Sequence, residues 1–130
     1  MIDSDLSLLA ETWIAEWLLR DAAQIGDARD RAWDLCQDEP ERAFRFILEV
    51  LRHNQSDKIL GALSAGPLED ILGKHGEAMI DRVEAEARSN PLFARLLGGV
   101  WQNEMSDEVW RRVQAVWDRR GWDRTPNQAN

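Results

Sequence analysis

Glu69, Asp70 and His75 are the residues whose types and spacing come closest to catalytic chemistry in this chain. Two carboxylates and an imidazole within two helical turns can share a proton, one group releasing it as another takes it up. The competing role is structural. Leu68, Ile71, Leu72 and His75 recur at helical spacing and share one face. An imidazole at the end of such a face caps carbonyls and suits the negative helix terminus. The pattern favours this role for His75, and for His53 at the end of an earlier helix. A small enzyme using His75 with Glu69 or Asp70 is therefore the alternative reading, and the sequence leans away from an enzyme.

Other chemistries find little support. Two His, one Cys and no His-x-x-x-His spacing argue against a zinc site, and no metal or cofactor is expected. Cys36 is alone, so no intramolecular disulfide forms, and beside Leu35 it reads as a small hydrophobe. There is no phosphate-binding loop, nucleophile elbow, His-Glu-x-x-His or dinucleotide fingerprint. No carboxylate pair has a spacing that by itself argues for glycosidase or metal chemistry.

Charge is the stronger signal. The chain of 130 residues carries a net charge of −8, with pI near 4.7. Up to Glu41, eleven acids stand against three arginines, so the first third alone accounts for the whole imbalance. Glu11, Glu16, Asp30 and Asp34 fall off the apolar stripes and are expected to form a docking face for a basic protein. The plainer reading is a solvated surface. The carboxy-terminal segment carries Trp110, Arg111, Arg112, Trp117, Arg119, Arg120, Trp122 and Arg124. Aromatics among cations can bind single-stranded nucleic acid. Yet Trp110 and Trp117 share a stripe with Val109, Val113 and Val116, and cations suit a helix end. With an acidic chain overall, nucleic acid is disfavoured as a partner. Trp122, past the last helix, is expected to be partly exposed and to touch a partner.

The helices that must position these residues follow from apolar spacing. One runs from about Ser4 to Ala23, capped by Asp3 or Ser4, and a short one from Ala28 to Gln37. A third, from Pro40 to His53, is apolar over much of its circumference and is expected to be central. Ser56 caps a short helix with Ile59, Leu60 and Leu63. Gly66-Pro67 then reads as a turn, with Gly66 at the N-cap and Pro67 at the first helical position. Glu69 is placed to reach back to the Gly66 N–H, Asp70 and Lys74 form an i,i+4 pair, and Gly76 ends the helix in the left-handed conformation. A helix to about Arg88 follows. Asn90-Pro91 opens another, whose stripe extends through Val100 and Trp101, with Gly98-Gly99 bending it or admitting a neighbour. Ser106 caps the last, which Gly121 stops.

No alternating β pattern of useful length is present. The expected fold is all-α: a single domain over 1–124 of about seven helices as packed αα-hairpins, loosely HEAT-like, with a polar, frayed tail at 125–130. Seven Trp and no Tyr supply the large aromatic surfaces. The amino terminus lacks a basic signal-peptide region, and no apolar run approaches the ~20 residues that span a bilayer, so the cytoplasm is the expected compartment.

The stretch Gly66 to Leu72 with His75 and Gly76, then Asn90, Pro91, Phe93 and Leu96 to Trp101, resembles a bacterial helical domain family of unknown function, DUF6869. The resemblance implies a small helical domain and no established activity. The leading functional expectation is a non-enzymatic acidic interaction domain docking a basic partner, as small inhibitors and immunity proteins do. A self-associating domain, with Trp faces forming a homodimer, is the further alternative.

Overall fold

The computed structural model describes residues 4–19 and 27–122. The expected end of the first helix near Ala23, the cap at Asp3 and the tail at 125–130 lie outside the described residues. Seven α-helices are described: α1 (Ser4–Leu19), α2 (Asp27–Asp38), α3 (Pro40–His53), α4 (Asp57–Leu63), α5 (Glu69–Ser89), α6 (Pro91–Leu97) and α7 (Asp107–Val116). No strand occurs among the described residues, so the all-α expectation holds.

The starts of these helices follow local chemistry. Ser56, Asn90 and Ser106 each accept a hydrogen bond from the backbone N–H three residues on, at Ile59, Phe93 and Val109. Pro40 and Pro91 occupy first-turn positions where no N–H is needed. α3 is central: Ala43, Phe44, Phe46, Ile47 and Val50 are fully buried. It packs against α1, α2, α5 and α6. Phe44 meets Phe93 of α6 at 5.4 Å, and Phe46 meets Trp13 of α1 edge-on at 5.8 Å. These two ring pairs join α3 to α1 and to α6.

The Gly66-Pro67 turn does not form. Ser64–Leu68 is a π-helical segment that runs α4 into α5 without a break. Pro67 lacks the N–H for the α-helical bond and its ring crowds the preceding turn; widening that turn by one residue relieves both problems. Gly66 is therefore no cap. It precedes a proline in a helical run, where a Cβ would crowd the proline ring. Ser64, buried in this segment, donates its hydroxyl hydrogen to the Leu96 carbonyl at 2.6 Å and ties the widened turn to α6.

Gly76 does not stop α5 either. The backbone kinks at His75 (φ −125°, ψ 25°) and the helix continues to Ser89. Gly76 is needed for space: a Cβ there would lie 3.1 Å from both methyls of Val109 on α7. α5 and α7 are further joined by Arg112, whose guanidinium donates to Glu84 at 2.7 and 2.8 Å and to Asp81 at 2.6 Å.

α6 is shorter than its apolar stripe. It ends at Leu97, Val100 is buried, and Trp101 points outward with 73% exposure. The end is forced by the segment after α7. The Asp118 N–H donates to the Ala94 carbonyl, Arg119 to the Gly98 carbonyl and the Trp122 indole to the Arg95 carbonyl. Arg119 thus caps α6, not its own helix, which already ends at Val116.

Candidate functional site

A cleft of about 440 Å³ opens where the end of α2, the first turns of α5 and the loop joining α6 to α7 meet. Gln37, Glu69, Asp70, Gly73, Lys74, Asn103 and Glu104 line it. Asp70 also borders a smaller groove of about 160 Å³ that contains Trp13, Trp17, Trp33 and Pro67. A single half-buried carboxylate therefore faces a polar cleft on one side and an aromatic groove on the other.

Glu69 and Asp70, two of the three carboxylates that line the cleft, have different duties. Glu69 spends both oxygens on the loop: Oε2 accepts the Trp101 N–H at 2.8 Å and Oε1 accepts from the Asn103 side chain. It does not reach back to Gly66. Asp70 receives no hydrogen bond and makes no ion pair among the described residues, and Lys74 donates instead to Gln37 at 3.1 Å. The expected Asp70–Lys74 pair is absent. Burial pushes the Asp70 carboxyl above its ordinary range, and the nearby Glu104 charge pushes it further. Burial also raises Glu69, against the two hydrogen bonds that favour its ionised form.

His75 does not join them. Its Nε2 lies 2.9 Å from the Gln37 carbonyl, so that nitrogen carries the proton and donates it. The imidazole thereby caps the end of α2. Among the described residues it forms no ion pair with Glu69 or Asp70. His53 sits beside Glu49, one turn back on its own helix, with Nε2 3.5 Å from the carboxylate.

The proposed docking acids are divided. Glu11, Asp30 and Asp34 are exposed. Glu16 is occupied: its oxygens accept the N–H groups of Ala28 and Arg29, each at 3.2 Å, and so cap the start of α2. Trp122 is partly exposed, as expected; it packs against Gly98 and Gly99 and gives its indole N–H to the Arg95 carbonyl. The most exposed aromatics are Trp33, at 57%, and Trp101. Trp101 was expected to lie on the apolar stripe that begins at Asn90-Pro91. Glu104 and Asn103 were also not singled out. Their one local signal is their place in a short polar stretch between a glycine pair and the Ser106 cap.

Cys36 is buried and its thiol donates to the Pro67 carbonyl at 3.6 Å. Burial pushes this thiol up to about 12, which leaves it inert. No group of three or more His, Cys, Asp or Glu placed to hold a metal occurs among the described residues. No helix among them is long and apolar enough to cross a membrane.

Comparison with curated proteins and with solved structures found no match. The model of the family of unknown function DUF6869 matches residues 20–121, which include every residue of the cleft and of the Gly66–Gly76 stretch, and the chain belongs to that family.

Proposed function

We propose that this chain is a protein-interaction domain that docks a basic segment of a partner protein, as small acidic inhibitors and immunity proteins do. The observation that carries the reading is Asp70. It is half-buried, receives no hydrogen bond among the described residues, stands near Glu104, and is held above its ordinary range. A carboxylate kept in that state costs stability at neutral pH, and a cation entering the cleft would relieve the cost. Trp33 on α2 and Trp101 on the loop joining α6 to α7 are exposed, and Trp is the residue type that anchors interfaces. Exposed Glu11, Asp30 and Asp34 add a field that steers a basic partner without contacting it closely. Self-association is less favoured, because two copies at −8 each repel. The engagement of His75 with the Gln37 carbonyl, and with neither Glu69 nor Asp70, favours docking over a small enzyme built on these three residues.

The probe is nona-arginine, titrated into the full chain at low and moderate salt. Asp70→Asn with Glu104→Gln is compared with Glu11→Gln with Asp34→Gln, which removes the same charge elsewhere. The cleft pair should weaken binding about ten-fold, close to 1.4 kcal/mol, and the distant pair much less. Asp70→Asn should also raise the denaturation midpoint at neutral pH. Equal losses from the two pairs would reduce the effect to overall charge, and the docking reading would be abandoned.

A further inference from the structure

Trp101 combines two properties that rarely coincide. It is the most exposed of the large hydrophobic residues described, yet its backbone is pinned. Glu69 holds the turn from both sides, one oxygen on the Trp101 N–H and the other on the Asn103 side chain. Asn103 occupies the left-handed region at φ 43°, a conformation that asparagine tolerates better than most residues. Gly73, one helical turn beyond Glu69, lets the loop approach, since a Cβ there would meet the Glu104 Cβ at 3.3 Å. An apolar side chain displayed on a fixed turn loses little freedom when a partner covers it.

We propose that Glu69 is a latch that positions Trp101 as the aromatic anchor of the docking face, and that protonation of Glu69 releases the 101–103 turn. The anchoring role rests on the docking reading; the latch itself is tested without any partner. The chemistry is that of a carboxylate with two acceptor oxygens and two N–H groups to satisfy. A proton on either oxygen removes the negative charge and one of the lone pairs, so both bonds change from charge-assisted to weaker neutral ones and the hold on the turn loosens. The charged groups around it are Asp70 and Lys74 from α5 and Glu104 from the loop, while α2 presents the uncharged Gln37. His75, further along α5, is committed to the Gln37 carbonyl. Burial and the Asp70 charge raise the Glu69 carboxyl, so release begins above the ordinary glutamate range.

The test follows the backbone amide of Trp101 and the side-chain amide of Asn103 by NMR in the full chain, from neutral to acid pH. Both signals should shift together with one midpoint above 4.5, the ordinary glutamate value. In Glu69→Gln neither should titrate, and the 101–103 backbone should be more mobile at neutral pH. Asn103→Ala removes one of the two bonds but keeps the carboxylate, and should move the Trp101 midpoint upward; it serves as the second variant if Glu69→Gln folds poorly. A Trp101 amide that does not titrate, or that titrates unchanged in Glu69→Gln, overturns the latch. Trp101→Ala separates the two readings: nona-arginine binding at the parent's affinity would remove the anchoring role while leaving the latch standing.

Discussion

Gly98 lies so close to Asp118 that a Cβ on the glycine would stand 2.1 Å from the aspartate's carbonyl oxygen. The contact is backbone against backbone, so no rotamer change relieves it. It marks where the segment after α7 closes over the end of α6 and forces that helix to stop. Gly98→Ala must push the two apart and break the Asp118 N–H bond to Ala94. We expect a loss of about 3 kcal/mol, measured by urea denaturation. Gly61→Ala is the control. It lies inside α4 with nothing within 4 Å of its Cβ direction, and should gain about 0.5–1 kcal/mol. Two similar shifts would mean that the closure over α6 is misplaced.

Arg112 clamps α7 to Glu84 and Asp81 of α5. Its hydrogen bonds hold the Glu84 carboxyl below the ordinary range. A depressed carboxylate contributes stability above its unfolded value and loses it as pH falls through the folded value. Arg112→Gln should therefore lower the thermal midpoint most at neutral pH, and the difference from the parent should shrink as the pH is lowered through the carboxylate range. Thermal melts across that range check this, and a difference independent of pH would reject the clamp as an ionic contact.

Cys36 should not react with a thiol reagent in the native state at pH 8, because its thiol is buried and raised to about 12. Labelling should proceed only through unfolding and should accelerate with denaturant. The linkage also has a definite sign. The unfolded thiol ionises near 9.0 and the folded one near 12, so this residue lowers stability as pH rises through that interval. Cys36→Ala should flatten that alkaline loss. Prompt labelling of the folded chain would show that the thiol is accessible.

The order of helices was legible because short-range rules set it. Caps at Ser56, Asn90 and Ser106, prolines at positions 40 and 91, and the apolar breadth of Pro40–His53 each act within a few residues of the chain. The same local rules misread Gly66-Pro67 and Gly76. A glycine supplies a left-handed backbone in one setting and room for a neighbour in another, and these look alike in sequence. At Gly76 the deciding partner is Val109, thirty-three residues away.

By itself, the sequence determined an acidic, all-helical chain and the place of Cys36 on an apolar stripe. Those properties follow from composition and from periodicity within single helices. Tertiary structure alone decided which acids are free. Glu16 and Glu69 are both glutamates on helices, yet one caps α2 and the other holds the Trp101 turn, while Asp70 beside it receives no donor among the described residues. It also decided which Trp residues face out, since the stripe through Trp101 is cut by the Gly98–Asp118 contact. A carboxylate's role depends on which donors lie within about 3 Å, and those donors come from distant parts of the chain.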